Sequence, residues 1–289
     1  RQALERLRLT DSSLSWEEES SGVMGKGFRC GFLGMLHVEI VIERLKREFS
    51  LPLVVTAPTT VYEVEYTNGK KEDIYSPARF PDDNAAKGVK ERWATVALIS
   101  HPEHIGPITQ LLYEYEAIVS DTETMPDGKV RLDAQMPLRE LMRGFFDKLK
   151  SVTSGFASLS YELADMRPAE VTRLDVLVAE NPVPALARIV SSRKVTREAE
   201  AIVEKLQGLL PRQMFELKIQ ACANGKILAA RRLSALRKDV TQHMYGGDIT
   251  RKMKLRDKQK KGKKKMLSRG TGTVDIPHEV FLKVVRGSE

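Results

Sequence analysis

A lysine-rich stretch late in the chain carries the clearest chemical signal of the sequence. Residues 251–265 hold ten basic side chains and one acidic one. Between Arg231 and Arg269, fifteen Lys and Arg residues stand against three Asp, whereas the rest of the chain has a small acidic excess. Positive charge gathered in one segment predicts a polyanionic partner, with nucleic acid favoured over an acidic membrane surface.

The composition of this stretch indicates how it would bind. Lysine outnumbers arginine by eight to two in residues 251–265, and a lysine ammonium contacts phosphate as a point charge rather than reading a base edge. Such binding depends on shape more than on base sequence, and it weakens steeply as salt rises. Gly246 and Gly247 would allow a tight turn near a phosphate, and Asp248 could cap the helix that follows. A solvated charge run without a partner is the alternative interpretation.

The candidate catalytic and metal-binding residues do not form a recognisable site. His101 and His104, in the sequence HPEH, could be two metal ligands, but no third ligand is indicated nearby. His37 and Glu39 match the H-x-E part of the zinc deaminase motif, but the required P-C-x-x-C is absent. Residues 22–28, GVMGKGF, lack the G-x-x-x-x-G-K-[ST] pattern of a phosphate-binding loop. The sequence therefore predicts no catalytic site, no bound metal and no cofactor in this chain.

Length and composition indicate a folded protein. The 289 residues, 42% of them hydrophobic, are enough for two or three domains with a sizeable core. Cys30 and Cys222 lie far apart without a CxxC spacing, which favours a reducing compartment over a disulfide scaffold. No apolar run reaches the ~20 residues of a membrane span, and no signal-peptide pattern is present. The chain begins with Arg1 in a helical pattern, so we expect it to be a piece of a longer protein.

Hydrophobic periodicity predicts the elements that position these residues. Apolar residues at helical spacing predict a helix within 31–49, preceded by a helix and a hairpin and followed by a strand within 51–66. Residues 93–165 then give strand, helix, two strands around an Asp127-Gly128 turn, a helix over 138–151 and a strand. This is the β-α-β-β-α-β series of the ferredoxin-like split βαβ unit. The first segment fits the same series with its first strand missing.

After Pro168 the pattern changes to a mixed α/β region. It predicts a strand, a short helix near Pro184, and a longer helix over 196–210 with Thr196 as its N-cap. Asn224-Gly225 predicts a hairpin turn whose second strand runs into a basic helix. A strand and a helix are also predicted within 273–285.

The predicted fold class is thus α+β, with ferredoxin-like domains followed by a mixed α/β C-terminal domain. We expect an incomplete ferredoxin-like domain at 1–68, a complete one at 69–167, and the mixed α/β domain with its basic tail at 168–289.

Several stretches resemble one known family. FRCGFLGMLHVEI at 28–40 resembles the third domain of elongation factor G-like translational GTPases, in the form of the elongation factor 4 (LepA) branch. YGGDITRKMKL and KQKKGKKKM, within 245–266, resemble the C-terminal domain peculiar to that branch. Two stretches depart from the family pattern: ARIVSSRKV at 187–195 lacks an expected histidine, and SRGTGTVDIP at 268–277 is longer than the usual link. Further matches lie at 56–64, 147–162, 210–221 and 237–240.

The resemblance implies a function for the whole protein. Family members bind the ribosome, hydrolyse GTP and remodel tRNA placement, with back-translocation the activity usually proposed. The GTPase domain, with its GTP and Mg²⁺, would lie outside this chain, and the polyanion would be tRNA or ribosomal RNA. Phosphate contact, or shaping of the turn that presents it, carries over to Arg237, Lys238, Tyr245, Gly246, Gly247, Asp248, Arg251, Lys252, Lys254, Lys258, Lys260, Lys261, Lys263, Lys264 and Lys265.

Two other functions stay open from the sequence. An RNA-modifying or hydrolytic enzyme would use the region of His101 and His104, and a membrane-surface module would bind anionic lipid through the lysines. The resemblance implies a cytoplasmic monomer. Peripheral contact with the inner face of the cell membrane and a location in the mitochondrial matrix are the lesser alternatives.

Overall fold

The structure is a computed structural model. It describes residues 1–21, 25–33, 35–56, 59–81, 85–236, 241, 249–268 and 276–285. The chain forms two compact units. The first consists of Arg1–Thr56, Leu174–Ala187 and Lys194–Arg286, and the second is built mainly from Ala57–Arg173 with Arg188–Arg193. The predicted domain boundaries after residues 68 and 167 stay predictions.

The N-terminal part of the first unit is a hairpin between two helices, as the sequence predicts. Its elements in chain order are helix α1 (Gln2–Thr10), strand β1 (Ser15–Ser21), strand β2 (Gly25–Gly31) and helix α2 (Met35–Phe49). The two strands are antiparallel. Leu4 and Leu7 of α1 pack with Val41 and Leu45 of α2 and with Leu14 to form the core of this part.

The second unit contains one six-stranded sheet. Its first elements are strands β3 (Tyr62–Tyr66), β4 (Lys71–Ile74) and β5 (Ala86–Ser100). The strand predicted within 51–66 is confirmed only for β3, since Leu51–Thr56 has no regular structure. The next elements are helix α3 (Ile105–Glu114), strands β6 (Ile118–Thr124) and β7 (Val130–Pro137), short helices α4 (Leu138–Glu140) and α5 (Phe146–Val152), and strand β8 (Ser158–Pro168).

Four of these strands form the predicted ferredoxin-like sheet. β5 pairs antiparallel with β8 and with β7, and β7 pairs with β6. The side chains of Ile108 and Leu112 on α3 and of Leu149 on α5 are fully buried against Leu98 and Met136 of the sheet. The β-α-β-β-α-β series predicted from hydrophobic spacing is therefore confirmed.

The β3–β4 hairpin extends the same sheet. β3 pairs with the first half of β5, at Ala86 to Glu91, and β7 pairs with the second half, at Trp93 to Ser100. β8 pairs with β5 along Lys90 to Ile99. Because β8 occupies one edge of β5, β3 and β7 must follow one another along the other edge.

The helix predicted over 138–151 is interrupted. Between α4 and α5 the backbone leaves the helical region at Arg143 and at Gly144, where φ is +82°. This left-handed conformation carries little cost for glycine because it has no Cβ atom. The break divides the helix yet leaves Phe145 fully buried in the core, so the apolar spacing continues across it.

The mixed α/β region lies mainly in the first unit, although Arg188–Arg193 belongs to the second unit. Its elements are strands β9 (Val171–Val178) and β10 (Asn181–Pro182), strand β11 (Arg188–Ser191), helix α6 (Val195–Leu209), strands β12 (Leu217–Ala223) and β13 (Lys226–Leu233), and helices α7 (Ile249–Ser268) and α8 (His278–Val285). The boundary between the compact units falls inside β9. The order β10-β9-β12-β13 describes the main sheet path.

The predicted turns and caps of this region are confirmed in part. Asn224 and Gly225, with φ of +52° and +72°, join β12 to β13 as predicted, and the short helix predicted near Pro184 is a single 3₁₀ turn. The prediction of Thr196 as a helix N-cap is wrong. α6 already begins at Val195 after Lys194, so Thr196 is inside the first turn and cannot occupy the cap. The strand predicted from residue 273 and the basic helix predicted towards 240 lie outside the described residues.

Candidate nucleic-acid interface

The lysine-rich stretch forms a single helix, α7. Its 20 residues correspond to a length of about 30 Å. No described side chain of α7 is buried. Lys252, Leu255 and Gln259 are half-buried, and their spacing of three and four residues places them in one row along the helix. The other described residues of α7 are exposed.

The charges of α7 are not neutralised by the described part of the protein. Within the described ranges, none of the seven basic side chains that the structure describes in α7 pairs with a carboxylate. Basic side chains that have no carboxylate partner among the described residues raise the local positive potential and are available to a polyanion. These seven residues are Arg251, Lys252, Lys254, Arg256, Lys258, Lys260 and Lys261.

Nine other residues that the family resemblance assigns to the interface lie, wholly or in their side chains, outside the described part of the structure. Lys263, Lys264 and Lys265 belong to α7, but their side chains are outside the description. A second group lies wholly outside the described residues: Arg237, Lys238, Tyr245, Gly246, Gly247 and Asp248.

Arg256 is a candidate that the family-based selection missed. It lies on the exposed part of α7, four residues before Lys260. In a helix, residues at this spacing lie on the same side. The i, i+4 spacing in the sequence is the signal that would have identified it.

The histidines considered for chemistry are held by neighbouring side chains. The rings of His101 and His104 both contact the ring of Phe156, His104 with its plane nearly parallel at 7° and a centroid distance of 6.4 Å. His37 Nε2 lies 2.7 Å from Asp11 Oδ2, and His37 Nδ1 accepts a hydrogen bond from the Leu33 amide. Within the described residues, no three His, Cys, Asp or Glu side chains are grouped to hold a metal ion.

The glycine-rich segment beside Lys26 does not fit a nucleotide phosphate. Lys26 and Gly27 lie in β2, where they are paired with Ser20 and Glu19 of β1. A phosphate-binding loop instead turns into a helix N-terminus and directs free amides at the phosphate. We therefore assign no phosphate binding to this segment.

A buried cluster of charges lies in the ferredoxin-like sheet. Arg139 of α4 bonds Glu91 of β5 and Glu116 after α3, and its Nε lies 3.5 Å from Glu140 Oε1. Arg143 Nη1 donates to the same Glu140 oxygen at 3.3 Å. Burial raises the pKa of Glu91 to about 7, although Arg139 opposes the shift. Because Arg139 and Glu91 are 6% and 3% exposed, the cluster supports the fold rather than a surface reaction.

Comparison with known proteins gives a consistent picture along the chain. Residues 178–286 match the family model described as GTP-binding protein LepA C-terminus, and residues 89–177 match the model described as elongation factor G C-terminus. No helix in the described part of the chain combines the length and apolar character needed to span a membrane.

Three curated relatives are each named elongation factor 4. The chain is 44% identical over 285 residues to the protein of Symbiobacterium thermophilum, 45% over 286 residues to that of Acetivibrio thermocellus, and 44% over 286 residues to that of a Picosynechococcus species. Each comparison covers 99% of this chain and 47% of the relative. The chain thus spans about half the length of the curated relatives it matches.

Proposed function

This chain belongs to the elongation factor 4 (LepA) family, and on that premise we propose that it contacts ribosomal RNA and tRNA through α7. The observation that carries the proposal is the basic surface of α7, whose described charges have no carboxylate partner within the described residues. Lysine-dominated surfaces bind phosphate backbones, and they do so with little dependence on base sequence. The ribosome offers such backbones at high density.

The activity of the whole protein follows from the family and is part of the proposal. The full-length factor would use GTP and Mg²⁺ in a GTPase domain to drive a change in tRNA placement, in the direction of back-translocation. The contribution of this chain would be binding and orientation on the ribosome without a catalytic step of its own. We propose a location in the cytoplasm, because its relatives are bacterial proteins named as elongation factors. The monomeric state expected from the family resemblance stays a prediction.

Binding of anionic lipid by the same lysines is the second candidate. Polybasic segments are attracted to anionic membranes by about 1 kcal/mol per basic residue. The comparisons add no support for this function. The side chains described for α7, at 249–262, form no continuous apolar face of the kind that an interfacial helix inserts into lipid. RNA is therefore the partner we propose, and lipid vesicles serve as the competitor in its test.

The test measures binding of the chain to tRNA and to vacant ribosomes while the salt concentration rises. Lys260, Lys261, Lys263, Lys264 and Lys265 are changed together to Ala, which preserves helix propensity and removes the charge. We expect the slope of log K against log salt to fall by several units. Changing the same five residues to Arg retains the charge and should preserve the slope.

An unchanged slope in the Ala variant would overturn the proposal. Vesicles of phosphatidylserine that displace the chain from ribosomes at equal phosphate concentration would favour lipid binding instead. Circular dichroism of each variant confirms that helix content is retained.

A further inference from the structure

An exposed phenylalanine lies at one end of the ferredoxin-like sheet, between α5 and β8. Phe156 is 65% exposed, whereas Phe145, just before α5, is fully buried in the core. Ala157 and Leu159, which follow Phe156, pack against that core. Single exposed apolar residues are common on protein surfaces, but Phe156 differs from such residues because its backbone and its ring are both held in place.

Hydrogen bonds fix the backbone that carries Phe156. The amide of Gly155 donates to the Lys150 carbonyl at 2.8 Å, and the amide of Phe156 donates to the Thr153 carbonyl at 2.9 Å. Thr153 is fully buried, and its hydroxyl donates to the Leu149 carbonyl at 2.7 Å. The turn therefore presents Phe156 from a defined position.

Two imidazole rings contact the Phe156 ring. The His104 ring is nearly parallel to it, at 7° and a centroid distance of 6.4 Å, and the His101 ring meets it at 78° and 6.1 Å. The amide of His104 donates to the His101 carbonyl at 3.0 Å, so both histidines belong to one short turn. We call His101, His104 and Phe156 the aromatic platform. Because 65% of Phe156 is exposed, these contacts leave a face of its ring open.

The chain segments that form the aromatic platform are otherwise polar at the surface. Apart from Pro102 and Phe156, the exposed residues of segments 101–104 and 151–158 are polar or glycine. A standard protein interface buries about 800 Å² on each partner and has an apolar centre. These segments offer no apolar patch of that size around Phe156. A single ring among polar residues instead suits a planar ligand group.

We propose that an unpaired RNA base of the ribosome stacks on the Phe156 ring of the aromatic platform. The inference rests on the proposed binding of this chain to RNA. It adds a contact in the second unit, away from the basic residues of α7 in sequence, and this contact recognises the face of a base instead of a phosphate.

The chemistry of RNA supports this choice of ligand. Proteins recognise unpaired RNA bases by stacking them on Phe, Tyr, Trp or His side chains, and every base has a face that can stack. A ring that is already held in place loses little freedom when a base binds. Lys150, an exposed residue in the last turn of α5, adds a positive charge that favours the phosphates on either side of the base.

Three substitutions of Phe156 in the whole chain test the inference, with affinity for vacant ribosomes at fixed salt as the measurement. We expect Phe156→Ala to lower the affinity about 5- to 150-fold, the range for loss of one base–aromatic stack. Phe156→Leu should lose nearly as much, because leucine is apolar but has no ring, whereas Phe156→Trp should retain the affinity. Tyr113→Ala removes another exposed ring of the same domain, 85% exposed on α3, and should leave the affinity unchanged.

Two further measurements identify the partner and check the fold. With p-benzoylphenylalanine in place of Phe156, photocrosslinking on vacant ribosomes should attach the chain to ribosomal RNA. Urea denaturation should give the same unfolding midpoint for the Phe156 variants and the wild type, since the ring is outside the buried core cluster.

Wild-type affinity of Phe156→Ala would overturn the inference. So would full affinity of Phe156→Leu, or crosslinking to ribosomal protein alone, because either result indicates an apolar contact with a protein.

The salt dependence separates this inference from the proposed function. Phenylalanine carries no charge, so Phe156→Ala should leave the slope of log K against log salt unchanged. If Phe156→Ala has no effect but the five-lysine Ala variant lowers the slope, RNA binding by α7 stands and the aromatic platform is wrong. If Phe156→Ala lowers the affinity but the five-lysine variant keeps the wild-type slope, the reverse holds.

Discussion

Arg139 directs a single guanidinium nitrogen, Nη1, at both carboxylate oxygens of Glu91, at 2.7 and 2.8 Å. The two residues are 48 positions apart, and both are buried. The pair joins α4 to the centre of β5, where the four-stranded sheet and the β3–β4 hairpin meet. Glu116 and Glu140 also approach the same guanidinium, so the Arg139 side chain contacts carboxylates from three parts of the fold.

Removal of Arg139 should destabilise the second unit strongly. Arg139→Met keeps much of the side-chain volume but leaves buried carboxylates without their partner, a change that costs about 3–5 kcal/mol. The free energy of unfolding is measured by urea denaturation of the chain. Arg131→Met, which removes the partner of the more exposed Asp133, is the matched control and should cost at most about 1 kcal/mol. Equal losses for the two variants would contradict a special role for the buried pair.

Glu91 should make stability depend on pH. Burial raises its pKa from the ordinary glutamate value of 4.5 to about 7 in the fold, so the folded protein binds more protons than the unfolded chain between these values. The contribution of Glu91 to the unfolding free energy therefore falls as pH rises from about 4.5 to about 7. Urea denaturation across this range should show the fall, and Glu91→Gln should flatten it. Glu162→Gln, on the exposed face of β8, should leave the profile as it is in the wild type.

Gly225 should be difficult to replace. Its φ of +72° completes the two-residue turn between β12 and β13, and an L-residue with a Cβ atom pays about 1–2 kcal/mol in the left-handed region. We expect Gly225→Ala to lower the unfolding free energy by about this amount in chemical denaturation. Gly208→Ala is the control, because Gly208 lies within α6 with open space at its Cβ position. Gly208→Ala should instead stabilise the chain by about 0.5–1 kcal/mol. If both variants lowered the unfolding free energy equally, the positive φ of Gly225 would not be the cause.

Local patterns were sufficient for much of the fold and insufficient for its long-range features. Helical spacing identifies α2 and α3, and the Asn224-Gly225 pair identifies its hairpin, because each depends on residues close in sequence. The break at Gly144 was missed because the apolar residues Leu141 and Phe145 keep helical spacing across it. The contact between Arg139 and Glu91 arises only when distant segments pack, and no local pattern encodes it.

In the candidate interface, too, the local sequence predicts some features and the structure is needed for others. The density of lysine predicts a phosphate-binding surface and a helix, but the count alone does not show which basic side chains the fold leaves exposed. The structure of α7 shows it, because Lys252 is half-buried whereas Lys254 and Arg256 are exposed. A selection by family motif overlooked Arg256, since matching sequence letters does not consider the direction of a side chain.

The length of β5 has a mechanical consequence. Its 15 residues span about 50 Å. The β3–β4 hairpin pairs with one half of an edge of β5, and β7 pairs with the other half of the same edge. Neither the hairpin nor β7 can separate from β5 without leaving a row of backbone donors and acceptors unpaired. A force applied to the hairpin would therefore reach the ferredoxin-like strands through the backbone hydrogen bonds of β5.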